Sequence, residues 1–258
     1  MSMNNTQVYP VKAFQDNYIW TIHNKTHAVV VDPGDSEPVI DFLTSNKLTL
    51  AAILVTHHHA DHVGGIKNIV RHYDVPVYGP KTETIPPVTQ KLGEGDSVQI
   101  DSLDLTFKVL DIPGHTAGHI AYFNNQRLFC GDTLFSCGCG RIFEGSPSQM
   151  LHSIEKLTNL ADSTEVYCTH EYTLSNIRFA LTVEPENKNL VEYEKIVKTK
   201  LAKEQASLPT SIGLEKSINP FLRYNEPSVI EAARTRSKTP VSNDIEVFAT
   251  IRAWKDNF

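Results

Sequence analysis

The chain has 258 residues, with 24 Lys and Arg against 30 Asp and Glu, giving a formal net charge of −6. At 40% hydrophobic and 21% charged it is neither a disordered nor a membrane-spanning composition. Its apolar runs, such as residues 51–55, stop far short of the roughly 20 residues that cross a bilayer, and the acidic balance excludes a general nucleic-acid reader, which needs a basic face.

The amino-terminal stretch MSMNNTQVYPVKAFQDNYIW has no basic start leading into an apolar run. No secretory leader is visible there, so the cytoplasm is the expected compartment. Strands are expected over residues 18–23, 28–31, 51–55, 103–110 and 119–123, which are rich in β-branched or aromatic side chains. Turns are marked by Asp32-Pro-Gly-Asp35, Pro86-Pro87 and Gly93-Glu-Gly95. Helices are expected over 36–46, 62–72 and 147–160. This loose alternation of strands and helices predicts a layered α/β sandwich.

Beyond about residue 171 the pattern changes. Residues 187–206 carry apolar side chains at helical spacing with Glu and Lys on the other face, and 227–236 and 243–255 are also helical in pattern. All 11 histidines fall between His23 and His170, and 12 of 13 glycines lie at or before Gly145. Residues 1–170 carry 11 basic and 18 acidic side chains (net −7), whereas 171–258 carry 13 and 12 (net +1). Two domains are therefore expected, 1–170 and an all-helical 171–258. Cys130, Cys137, Cys139 and Cys168 form no CxxC pair and are expected as thiols in a reducing compartment.

The sharpest local feature is Thr56-His-His-His-Ala-Asp-His62, directly after the strand 51–55. A turn leaving a strand end can point alternate side chains into one cavity. Imidazoles and a carboxylate at that density would be costly to bury without a metal or strong partners. Mixed nitrogen and oxygen donors suit a catalytic zinc, iron or similar ion. Three further pieces follow likely strands: His115 in Pro113-Gly-His-Thr-Ala-Gly-His119, Asp132 in Cys130-Gly-Asp-Thr133, and His170 in Cys168-Thr-His-Glu-Tyr172.

In this series of motifs the chain resembles the metallo-β-lactamase superfamily. The resemblance implies a four-layer αβ/βα sandwich with two divalent metals, zinc first, iron or manganese as the alternatives. It implies that His57, His59 and His115 hold one metal, that Asp61, His62 and His170 hold the second, and that Asp132 bridges both. His58 is then a non-ligand and His119 a supporting residue. The reaction implied is hydrolysis by a metal-bridging hydroxide, which Asp61 and Asp132 orient, with no serine or cysteine nucleophile.

Four later stretches narrow the resemblance. Residues 130–145, Thr169-His-Glu-Tyr172, Asn219-Pro-Phe-Leu-Arg223 and the terminal Arg252-Ala-Trp-Lys-Asp-Asn-Phe258 are similar to the glyoxalase II (hydroxyacylglutathione hydrolase) family. That family hydrolyses the thioester of S-D-lactoylglutathione and related 2-hydroxyacyl thioesters in methylglyoxal detoxification. The resemblance makes the helical tail the glutathione-binding domain, with Arg141, Tyr172, His170, Arg252 and Lys255 as substrate contacts; a monomer is expected. Cations suit glutathione, whose two carboxylates and one ammonium leave it net negative. Phe143 stands where some members have Tyr, and so offers no hydroxyl. The alternatives are a glutathione-persulfide dioxygenase with a single iron, or a non-catalytic metal- or glutathione-binding protein.

Overall fold

A computed structural model describes residues 6–258. Residues 1–5, the start of the stretch expected to hold no leader, lie outside the described residues. The chain divides into two compact units, one of Met1–Asp111 with Gly118–Gly131, the other of Ile112–Ala117 with Asp132–Phe258.

The first unit runs β1 (Gln7–Ala13), β2 (Asn17–His23), β3 (His27–Val31), α1 (Glu37–Ser45), β4 (Thr49–Leu54), α2 (Ala60–Val63), α3 (Ile66–His72), β5 (Val77–Pro80), β6 (Gln90–Leu92), β7 (Ser97–Ile100), β8 (Leu105–Asp111), β9 (Ile120–Phe123) and β10 (Arg127–Gly131). β1 to β6 lie in sequence order in one sheet, antiparallel from β1 to β3 and parallel from β3 to β6. β3 and β4 are continuous apolar runs, as strands covered on both faces require. β1 sits at the sheet edge and tolerates Pro10, which cannot donate to a ladder. That proline hid β1 from the sequence pattern. α1 and α3 cover the sheet, with Val39, Leu43, Ile66 and Ile69 packed on Val30 and Ile53. Full burial of each such side chain contributes about 1.5–3 kcal/mol.

β7 to β10 form antiparallel pairs in order. Tyr122 on β9 donates its hydroxyl to Val55 O at 3.0 Å, joining this set to the end of β4. The helix expected over 62–72 is broken instead into α2 and α3. Gly64 and Gly65 interrupt it, and Gly65 N donates to Pro33 O at 3.0 Å rather than within a continuous helix.

The second unit runs β11 (Leu134–Phe135), β12 (Gly138–Cys139), α4 (Pro147–Thr158), β13 (Glu165–Cys168), α5 (Thr173–Val183), α6 (Lys188–Leu201), β14 (Thr210–Ser211), α7 (Ile212–Ile218), α8 (Pro227–Arg236) and α9 (Asp244–Asp256). Side-chain caps start the helices: Ser146 and Gln149 form a reciprocal capping box on α4, and Asn187, Ser211 and Asn243 cap α6, α7 and α9. Met150 and Ile154 of α4 share one core with Phe179 of α5, Phe221, Val229 of α8, and Phe248 and Ile251 of α9. α4 thus shares its core with α5, α8 and α9. A second core gathers Ile177, Leu190, Tyr193, Val197 and Ile218 between α5, α6 and α7.

Candidate metal centre and substrate cations

In the first unit the histidine motif leaves the carboxyl end of a parallel strand. β3 and β4 pair in register at Val31 and Leu54, so Asp32 and Thr56 emerge side by side. Asp32, at φ +51° and buried, accepts Thr56 N and Thr56 Oγ1 at 2.7 Å each. The same carboxylate lies 3.1 Å from His62 Nδ1. Its proton is therefore on Nδ1, and His62 Nε2, 3.5 Å from Asp61 Oδ2, presents a lone pair.

His57 is set in the same manner. The Thr56 hydroxyl, having donated to Asp32, accepts from His57 Nδ1 at 3.0 Å. That leaves His57 Nε2 unprotonated, 3.2 Å from His59 Nδ1. His59 Nδ1 can donate to that lone pair, or both nitrogens can turn theirs to one cation. The His57 ring also stacks on His119 at 4.5 Å, and His119 Nδ1 meets Ile120 O at 3.0 Å. Asn17 Nδ2 donates to Asp61 Oδ2 at 3.1 Å. His58 instead meets Glu83 Oε2 at 3.1 Å.

The second unit repeats this arrangement around Asp132. His115 Nδ1 donates to Arg141 O at 2.8 Å, which turns its Nε2 to 3.5 Å from Asp132 Oδ2. His170 Nε2 lies 3.4 Å from the same oxygen. The His170 ring stacks on Tyr172 at 4.7 Å and 4°, and Phe135 meets both rings edge-on. The imidazoles of His57, His62, His115 and His170 and the carboxylate of Asp132 are buried, His59 and Asp61 are half-buried, and Nδ1 of His57, His62 and His115 is already committed to an oxygen. That is how metal-ligating histidines are held, so the donor set fits divalent ions.

The four expected glutathione contacts beside His170 differ in exposure. Arg141 and Tyr172 are exposed, and Arg141 Nε lies 3.4 Å from Asp256 Oδ1. Arg252 is buried. It donates to Cys139 O at 2.6 Å and to Asp256 Oδ1 at 3.1 Å, and its guanidinium lies 5.1 Å from the centre of the Phe221 ring. Lys255 donates to Asn176 Oδ1 over the Phe179 ring, and burial together with the Arg252 charge pulls its ammonium down to about 8. Phe143 is exposed and meets the His115 ring edge-on.

Asp32, Thr56, Asn17 and Asp256 were not singled out by sequence reasoning. The available signal for Asp32 is an acidic residue at the end of the apolar run Ala28–Val31, within the stretch that the sequence marks as a turn.

Residues 14–170 match the sequence model of the metallo-β-lactamase superfamily. Solved structures agree: BLEG-1 B3 metallo-β-lactamase is 26% identical with a TM-score of 0.61, over 84% of this chain and 99% of that one. TTHA1623 in a di-iron-bound form is 26% identical with a TM-score of 0.58, over 83% of this chain and 100% of that one. The fold is thus the metallo-β-lactamase fold, followed by a C-terminal helical region. Residues 171–258 match the model of the hydroxyacylglutathione hydrolase C-terminus. The hydroxyacylglutathione hydrolase of Nitrosomonas europaea is 52% identical over 97% of this chain and 96% of its own. That of Photobacterium profundum is 49% identical over 97% and 99%. The chain belongs to the hydroxyacylglutathione hydrolase family. Among the described residues no helix is long and apolar enough to cross a membrane.

Proposed function

We propose that this chain hydrolyses the thioester of S-(2-hydroxyacyl)glutathione, S-D-lactoylglutathione first, to the hydroxy acid and glutathione. The observation that carries the reading is the paired orientation of donors, His57 and His62 through Thr56 and Asp32, and His115 through Arg141 O, on a chain of this family. In this reading residues 1–170 are the metal domain and 171–258 the glutathione-binding domain of a cytoplasmic monomer.

His57, His59 and His115 would hold one divalent ion, Asp61, His62 and His170 the other, and Asp132 both, with zinc the first expectation. Bound there, the ions supply a lowered water pKa and Lewis acidity toward the thioester carbonyl. The remaining work belongs to side chains. Asp32 keeps the His62 proton on Nδ1, and Thr56 keeps that of His57 on Nδ1. Arg141, Arg252 and Lys255 are the cations for the glutathione carboxylates, Arg252 being held by Asp256 and Cys139 O, and Tyr172 and His170 line the approach. Glutathione departs as a thiolate, a good enough leaving group to need no acid from the chain.

The test is turnover of S-D-lactoylglutathione under nitrogen, with elemental analysis of the same sample. Oxygen-independent hydrolysis with about two metal ions per chain supports the reading. Oxygen-dependent turnover of glutathione persulfide on a single iron would replace it with a dioxygenase. Metal-loaded protein that binds glutathione but turns over neither would replace it with a binding protein.

A further inference from the structure

The hairpin β11–β12 begins two residues after Asp132 and ends two before Arg141. It is only two residues deep on each side, and Cys137 at its turn takes φ +57°, a left-handed conformation unfavourable for a side chain. Such a turn does not hold itself. Four side chains of the helical region converge on its backbone: Asn176 Nδ2 donates to Ser136 O at 2.9 Å, Asn219 Nδ2 to Phe135 O at 3.1 Å and Gly138 O at 3.0 Å, and Arg252 Nη1 to Cys139 O at 2.6 Å. The fourth is Glu215.

Glu215 is fully buried on α7 and forms no ion pair among the described residues. Its Oε1 accepts Ser136 Oγ at 2.8 Å and Thr210 Oγ1 at 2.6 Å. Its Oε2 accepts Cys137 N at 2.8 Å and Asn219 Nδ2 at 3.0 Å. Tyr193 OH, 3.1 Å from Ser136 Oγ, extends the network, since that oxygen already donates to Glu215. A carboxylate so placed is stabilising only while all its donors are present. Two of the four come from the hairpin turn, and one is the amide of the strained residue.

We propose that Glu215 is a positioning residue for substrate binding: by holding Ser136 and Cys137 it sets the hairpin, and through it the Phe135 ring against His170 and Tyr172 and the course of the chain into Arg141. The proposal rests on the functional reading above. It differs from a stability role in predicting a change in KM rather than only in the folded fraction. Alanine removes all four acceptor contacts. Glutamine keeps an oxygen for Cys137 N and Asn219 while its amide donates to the two hydroxyls, which can rotate to accept.

The experiment measures kcat, KM for S-D-lactoylglutathione, metal content and Tm for wild type, Glu215→Ala and Glu215→Gln. KM is expected to rise about tenfold or more in Glu215→Ala, with kcat within about threefold, and to return most of the way in Glu215→Gln. Metal content should stay at the wild-type level in both. If Glu215→Ala does not fold, Glu215→Gln carries the test, with a KM rise of about threefold expected. A folded variant with lowered Tm and unchanged KM would overturn the positioning role and leave the functional reading standing. So would a fall in kcat in step with lost metal. Wild-type protein without thioesterase activity would overturn both.

Discussion

The Asp32 carboxylate stands 3.1 Å from His62 Nδ1 while holding both the amide and the hydroxyl of Thr56. Through that hydroxyl it also sets His57, so one buried acid fixes the ring orientation of two histidines. The arrangement exists because β3 and β4 run parallel and end in register.

Asp32→Ala is therefore expected to lower metal affinity about 10- to 100-fold although it replaces none of the proposed ligands. Competition with a chromophoric chelator measures this directly, and wild-type affinity would rule the role out. Stripping the metals from the wild-type protein should lower its Tm as well. Any ligand held by the folded state alone contributes stability, about 2.7 kcal/mol at a hundred times its Kd.

The same geometry explains what sequence could and could not show. The H-x-H-x-D-H run was legible because its residues are neighbours in the chain. α6, α8 and α9 were legible because their apolar spacing is regular; Asn187 and Asn243 caps fix the starts of α6 and α9. α5 was not, since its buried face includes the polar Thr173 and Asn176, which break the apolar stripe. Asp32 depends on Thr56, 24 residues on, and Glu215 on donors from residues 136, 137, 210 and 219. Neither has a local signature. The hairpin β11–β12 escaped because its left-handed residue is Cys137, where a glycine would have announced a turn.

Lys255 gives a pH dependence. Its ammonium titrates near 8 in the folded chain, against an ordinary value of 10.5, because burial and Arg252 disfavour the charge. Below 8 it is cationic and can pair with a glutathione carboxylate; above 8 it loses the proton. KM is accordingly expected to be flat below pH 8 and to rise above it, by up to about tenfold per pH unit if this charge alone is needed. Lys255→Arg keeps its charge and should flatten the profile. Between pH 8 and 10.5 the unfolded chain holds the proton that the folded chain has released, so this group makes stability rise with pH across that window. A KM profile unchanged in Lys255→Arg would assign the titration elsewhere.

Gly140 tests how tightly Asp132 must be held. A Cβ there would lie 1.9 Å from Asp132 O, so the backbone of one or the other must move. Gly140→Ala should cost about 100-fold in turnover, the scale of a misplacement of about 1 Å at a reacting centre. Gly95→Ala is the control. At φ +82° with nothing within 4 Å of its Cβ, it should cost about 1 kcal/mol of stability and leave turnover alone. Equal effects from the two substitutions would show that close approach at Asp132 is not what matters.

Arg223 and Glu184 carry a stability prediction separate from the chemistry. Glu184 is buried at the end of α5 and accepts Arg223 Nε at 2.8 Å, Arg223 Nη2 at 3.1 Å and Ser228 Oγ at 2.7 Å. The two guanidinium bonds form a fork that a lysine cannot reproduce. Arg223→Ala would leave the carboxylate buried with only the serine hydroxyl, which should cost about 3 kcal/mol. Arg223→Lys keeps the charge and loses the fork, and should cost about half of that. Urea denaturation should show the midpoint falling in that order with an unchanged m value, since the surface exposed on unfolding is the same. KM should not move, because the pair touches none of the proposed substrate contacts. A loss under about 1 kcal/mol in Arg223→Ala would mean that water reaches Glu184 once the arginine is gone, and that the fork contributes no more than an exposed pair.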